Sequence, residues 1–192
     1  MPTDHAGPGR PRDPDLDEAI LRAARDQLAT HGYDGMSVAA VATEAGTTRQ
    51  AVYRRWPGKA DLATAAVASM SQAAERVATD DPFRDLVEEL AAFQRGVSRP
   101  NGISMVGSML QDGTEPQLKQ LFRQRLVEPR RARFRDIFER SIDGGALADD
   151  ADVDSGIAAC TGILYAQYLT GRRIPADWAE TTARFVWRGM GG

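Results

Sequence analysis

The chain has few of the residues that build metal sites, disulfides and membrane anchors. Its single cysteine, Cys160, cannot close a disulfide within the chain and suits a reducing cytoplasm, the expected location. Its two histidines, His5 and His31, stand in an N-terminal tail and near a helix end, so no metal site is expected. No apolar run approaches the roughly 18 residues a membrane helix needs, and no membrane partner is expected. The opening MPTDHAGPGRPRDP lacks the apolar core of a secretory signal. Enzyme signatures are equally scarce. The stretch Gly102-Ile103-Ser104-Met105-Val106 lacks the final glycine of a nucleophile elbow, and no loop has the pattern that cradles phosphates. Neither catalytic residues nor a cofactor are expected. No segment reads as a strand, and no internal repeat has a fixed period.

What is present is an ordinary globular composition, 42% hydrophobic and 27% charged over 192 residues, with a net charge of −3. The acids concentrate in 80–89 and 143–154. Residues 49–59 hold Arg49, Arg54, Arg55 and Lys59 and no acid, so the local charge is strongly positive although the total is not.

That positive cluster lies in SVAAVATEAGTTRQAVYRRWPGK, residues 37–59. Val38, Val41 and Ala42 recur at the spacing of one buried helical face. Gly46 supplies the left-handed backbone that ends a helix. Thr47 or Thr48 can cap the next helix, and Thr47-x-x-Gln50 fits a capping box. Two short helices, about 37–45 and 48–55, joined by a glycine turn and followed by arginines, form the layout of a helix-turn-helix. The second helix of this motif enters the DNA major groove.

The rest of the chain also reads as helix. Residues 1–12 are Pro/Gly-rich and polar and are expected to be a disordered arm. Asp13-Pro14 starts the first helix, whose apolar face (Leu16, Ala19, Ile20, Ala23, Ala24, Leu28) runs to Gly32. Beyond Pro57 an alanine-rich helix covers 59–78, and Asp81-Pro82 opens another with Phe83, Leu86, Val87, Leu90 and Phe93 at helical spacing. A short helix follows near 103–111, then a long pattern over 116–142 that Pro129 should kink or split. An apolar helix ends at Gly171 and a final one covers about 175–189. The expectation is an all-α protein: the arm, a three-helix DNA-binding domain over 13–62, and a larger helical bundle over 63–192.

With these residues placed, 19–62 closely resembles the DNA-binding domain of the TetR family of bacterial transcriptional regulators. The resemblance runs without gaps through AILRAARDQLATHGYDGMSV and VATEAGTTRQAVYRRWPGKADL. Gly32-Tyr33, Ser37-Val38, Ala45-Gly46, Tyr53 and Lys59 fall at family spacing. Gln27, Leu28, Thr47, Gln50 and Trp56 depart from the commoner residues, with Leu28 and Trp56 keeping the core apolar. The segment from Glu128-Pro129 to Tyr165 is similar to one C-terminal subtype of the family. The resemblance implies a homodimer whose C-terminal bundle houses both the dimer interface and a pocket for a small-molecule effector.

The candidate DNA-binding residues are Thr47, Thr48, Arg49, Gln50, Tyr53, Arg54 and Lys59. Arg49 and Gln50, at the start of the recognition helix, match the donors that pair with guanine and adenine edges. Thr48, Tyr53 and Lys59 suit phosphate oxygens, although Tyr53 also fits a half-buried core position. Trp56 reads as core. Gly9-Arg10-Pro11-Arg12 is similar to arms that enter AT-rich minor grooves, and a tail without contacts fits it equally. The run Arg123, Arg125, Arg130, Arg131, Arg133, Arg135 is interleaved with apolar residues and reads as a solvated face carrying ion pairs.

For the pocket, the candidates are Phe93, Met105, Met109, Phe122, Leu126 and Tyr165. Gly156, Ala159 and Gly162 make one helix small-sided, so that another helix can approach it closely. With Trp178 and Phe185 of the last helix they form the candidate dimer interface, or else a packing surface within the chain. The function expected is a DNA-binding regulator, a repressor released from a near-palindromic double-stranded operator by a small molecule. The alternative is a helical ligand-binding or enzymatic protein in which the helix-turn-helix is only scaffold.

Overall fold

Asp13 caps the first helix, α1 (Pro14–Gly35), its carboxylate accepting from the amides of Asp15 and Leu16 at 3.1 and 3.3 Å. The computed structural model describes residues 13–72, 78–100 and 102–192, and every regular element among them is helical. The arm over 1–12, with its Gly9–Arg12 motif, and the expected helix over 73–77 lie outside the described residues. At Gly32 the backbone of α1 turns left-handed (φ 68°), and one further turn leads to Gly35.

The helix-turn-helix follows. Ser37 caps α2 (Val38–Glu44), and Thr48 caps α3 (Arg49–Tyr53). Gly46, at φ 64°, makes the turn between them. Its amide donates to the Thr43 carbonyl, and the amide of Thr47 donates to Ala42 at 2.8 Å. This pair of bonds is a Schellman motif, and it satisfies the carbonyls that the end of α2 leaves open. It also uses the Thr47 backbone, so Thr48 is the cap rather than Thr47, its hydroxyl accepting from the Ala51 amide at 3.2 Å.

Two cores organise the chain. Ile20, Ala24 and Leu28 of α1 pack with Val41, Ala42, Val52 and, from α4 (Lys59–Gln72), Leu62, Ala63 and Ala66. This first core thus reaches beyond residue 62. The second core joins α5 (Pro82–Val97), α8 (Glu128–Asp143), α9 (Val153–Leu169) and α10 (Trp178–Gly189). Asp81-Pro82 and Asp152 start two of these helices with side-chain caps. Between the cores lie α6 (Gly102–Met109), whose Met105 enters the first core, and α7 (Pro116–Phe122).

From α7 a π-helical turn over Arg123–Val127 runs directly into α8. Pro129 lacks the N–H that a regular helix would donate at that point, and the wider turn accommodates the gap without ending the helix. The expected kink or split near Pro129 corresponds to this π turn between α7 and α8. The same turn lets Arg125 reach α4. Its guanidinium donates to the Asp61 carbonyl (2.8 Å), the Asp61 carboxylate (2.9 Å) and the Thr64 hydroxyl (2.9 Å), while Gln117 donates to the other Asp61 oxygen at 3.2 Å. These contacts lock the bundle to the last helix of the first core.

Candidate nucleic-acid interface and internal cavity

The N-terminus of α3 presents Arg49 and Gln50 to solvent, with Thr48 and Arg54 also exposed and Tyr53 40% exposed. Val52, on the opposite side of α3, is fully buried and anchors the helix. The Arg49 guanidinium lies 6.0 Å from the Tyr53 ring, so the two side chains share one face. Thr47 is half-buried in the turn.

Arg55 and Lys59 have other duties. The Arg55 guanidinium pairs with Asp17 of α1 and donates to the Ala51 carbonyl at 3.2 Å, leaving its side chain only 8% exposed. It is a tie between α1 and α3, and its charge is not available to an anion. Sequence reasoning counted it in the positive cluster because Asp17, thirty-eight positions away, carries no local signal. The Lys59 ammonium donates to the Asp34 carbonyl at the end of α1 (2.9 Å) and lies 4.8 Å from the centre of the Tyr33 ring. Its other two protons meet no hydrogen-bond acceptor among the described residues. Gln27, unusual in the resemblance, is buried and donates to Glu44 at 2.5 Å, tying α1 to the end of α2.

A cavity of about 860 Å³ lies between the two cores. Its size falls in the range of small-molecule pockets. One wall comes from α1, from Arg25 through Asp34, and the others from α5, α6, the helix leading through Phe122 and Leu126 to Arg130, and Tyr165 of α9. Of the candidate pocket residues, Phe93, Met105, Phe122, Leu126 and Tyr165 meet here, and Met109 is not among the lining. Phe93 packs edge-on to Tyr165, with ring centres 5.6 Å apart. Burial raises the Tyr165 phenol above its ordinary value, and Arg130 opposes that shift. At the α1 wall, Tyr33 donates to Glu115 at 3.2 Å, and burial followed by that carboxylate pushes its phenol well up.

The arginine run divides between solvent and interior. Arg131 and Arg135 both pair with Asp154, and Arg125 holds Asp61. Arg133 grips Glu89 with two bonds of 3.0 and 2.9 Å, and Arg130 lies 4.7 Å above the Phe93 ring. Arg130 and Arg133 both line the cavity, Arg130 half-buried and Arg133 exposed in its ion pair with Glu89. A signal did exist: they stand four residues before Phe134 and Ile137, on the buried face of α8.

The five candidate dimer residues are dispersed. Trp178 is buried in the second core, and Gly156 is buried where an added Cβ would lie 2.6 Å from the Met190 sulfur. Both serve packing within the chain. Ala159 is half-buried, whereas Gly162 is exposed with nothing within 4 Å of a Cβ, and Phe185 is 68% exposed. Along α9, Ala158, Gly162, Ala166 and Leu169 make one exposed stripe, with Leu169 88% exposed. Cys160 is buried, and burial pushes its thiol up to about 12, which makes it unreactive. Among the described residues no His/Cys/Asp/Glu group could hold a metal ion, and no helix is long and apolar enough to cross a membrane.

Known proteins agree with this architecture. Residues 20–66 match the family described as bacterial regulatory proteins, tetR family, and 76–186 match the tetracyclin repressor-like C-terminal domain. The HTH-type transcriptional regulator YdeS of Bacillus subtilis is 26% identical over 187 residues, covering 95% of this chain and 93% of its own length. A regulator of the same type from Mycobacterium bovis is 29% identical over 179 residues, covering 92% and 85%. In fold, the TetR family transcription regulator SCO0332 superposes with a TM-score of 0.71 at 22% identity, covering 91% of this chain and 98% of its own. The regulator FadR of Bacillus subtilis, solved in complex with stearoyl-CoA, does so with a TM-score of 0.63 at 15% identity, covering 90% and 96%. Two consecutive domain matches, spanning the helix-turn-helix and the bundle behind it, settle the question of kind: the chain belongs to the TetR family of bacterial transcriptional regulators, which bind DNA.

Proposed function

We propose that the protein is a cytoplasmic repressor that binds a near-palindromic operator as a homodimer and leaves it when a small molecule fills the cavity. Family membership sets aside the alternative of a helical ligand-binding or enzymatic protein with an idle helix-turn-helix. The observation that carries the effector reading is the makeup of the cavity. Its walls belong to the bundle and to α1, the same helix that ties α3 through Asp17 and Arg55. A ligand wedged between them changes the position of α1, and with it the recognition helix. The complex of FadR with stearoyl-CoA is a precedent in a protein of this fold.

In this reading residues 13–62 with the start of α4 form the DNA-binding unit, and the helices beyond form the effector and dimer unit. Arg49 and Gln50 read base edges, while Thr48, Tyr53, Arg54 and the free protons of Lys59 hold phosphates. The exposed stripe of α9 with Phe185 of α10 is the dimer surface, its small residues allowing a partner helix to approach closely. A two-fold dimer carries two recognition helices to successive major grooves, roughly 34–36 Å apart. The effector must bind the non-matching state more tightly than the DNA-bound one, since equal affinity shifts nothing. A gel shift with the DNA flanking the protein's own gene tests the reading. A discrete complex that survives unrelated competitor DNA is expected, and binding no better than to the competitor overturns it.

A further inference from the structure

Polar and apolar side chains share the cavity wall, and among the charged ones Arg130 stands apart. Arg130 points into it from α8 and makes no hydrogen bond or ion pair with any described residue; its one close partner is the face of Phe93, 4.7 Å away. Phe93 itself is buried. Arg130 is half-buried, and its guanidinium keeps its five N–H donors for an acceptor that enters the cavity. Burial pulls the Arg130 pKa below the ordinary arginine value, with Tyr165 and Glu89 working the other way.

The charge count at this end of the cavity is unequal. Glu89 is the carboxylate here, and Arg133 already binds it through both oxygens. Two guanidiniums therefore face one carboxylate, an excess of one positive charge. The apolar side chains of the lining include Phe93, Met105, Phe122 and Leu126. Elsewhere in the lining the exposed Arg95 and Arg99 are balanced in charge by Asp26 and Asp34.

We propose that the cavity takes an organic monocarboxylate with an apolar body, its carboxylate held by the Arg130 fork and its body lying against Phe93, Phe122 and Leu126. The planar fork of arginine matches a carboxylate with two parallel bonds. One negative charge neutralises the excess, whereas a phosphate dianion would leave a second charge without a partner at this end of the cavity. The proposal rests on reading the cavity as the effector site, and the test separates the two.

The full-length protein is loaded with N-phenyl-naphthylamine, a neutral dye that fluoresces in apolar surroundings. It is then titrated with decanoate and phenylbutyrate, and in parallel with their primary amides. Each carboxylate should displace the dye at a concentration at least about tenfold below that of its amide, the margin of a charge-assisted pair over a neutral one. Arg130→Met should bring the ratio to about one with amide displacement unchanged, and Arg130→Lys should keep part of it. Equal displacement by acid and amide in the unaltered protein overturns the carboxylate assignment while leaving the cavity as a ligand site. A carboxylate preference that persists in Arg130→Met overturns the role of Arg130. Failure of the dye and of all four competitors to bind overturns the effector site itself. Should Arg130→Met not fold, the acid-to-amide ratio of the unaltered protein and the Arg130→Lys variant still decide.

Discussion

Replacing Arg55 by methionine separates a residue that supports the recognition helix from one that touches DNA. Arg55 lies among positive residues, and a count of charge would assign it to phosphate. Its guanidinium instead pairs with Asp17 and reaches the Ala51 carbonyl, with 8% of the side chain exposed against 25% for Asp17. An exposed ion pair contributes about 0.2–1 kcal/mol, and breaking a buried one costs about 3–5 kcal/mol. This pair is nearly buried on one side and partly wet on the other, so Arg55→Met should cost roughly 2–3 kcal/mol. For a chain of this length that lowers the melting temperature by about 4–12 °C. Adding Asp17→Asn should recover part of the loss, because the unpaired carboxylate is then gone. Arg54→Ala, one position earlier and exposed, should leave stability within about 0.5 kcal/mol and weaken DNA binding. Urea denaturation and fluorescence anisotropy on a DNA duplex give both readouts. An Arg55→Met protein of unchanged stability that has lost DNA affinity would refute the reasoning.

Further outcomes follow from the same structure. Arg49→Ala and Gln50→Ala should each cost about 1–3 kcal/mol on the operator and relax preference at particular base pairs, which a competition assay with base-substituted duplexes reads. Operator binding should fall steeply with salt, and Lys59→Ala should flatten that slope, measured as log affinity against log salt concentration. Gly162→Leu, with open space around its Cβ, should keep the helicity of the chain yet shift sedimentation toward the monomer. For Asp85, burial raises the carboxyl's pKa, but hydrogen bonds from Arg140 and Thr79 outweigh it and hold the value below the usual range. The stabilisation is therefore complete at neutral pH and is lost as the pH falls below about 4 and through the folded-state pKa. Urea midpoints measured down to pH 3 should accordingly drop less in Asp85→Asn than in the unaltered protein.

The elements that sequence revealed are those whose signals are local. Asp13-Pro14 and Asp81-Pro82 sit at helix starts because a side-chain cap acts within three residues. Gly46 marks its turn because few other residues adopt its φ. The π turn before Pro129 was only half legible: proline announces a missing hydrogen bond but not how the helix absorbs it. The bonds that tie elements together were hidden. Asp17 to Arg55, Asp61 to Arg125 and Glu89 to Arg133 join positions 38, 64 and 44 residues apart. For the same reason the cavity's α1 wall went unnoticed, since residues 25–34 lie far in sequence from the helices that complete it. Trp178 and Gly156 show the limit of composition: a tryptophan and a small residue suit a partner surface and the chain's own core equally well, and only packing decides.

The most direct test of the account is a hydroxyl-radical footprint of the purified protein on the DNA flanking its gene. The account predicts two protected clusters related by two-fold symmetry, with half-site centres about one helical turn apart or a multiple of it. Both clusters should vanish when Arg49 and Gln50 are replaced together by alanine. Uniform protection, or a symmetric footprint that survives that double replacement, would contradict it.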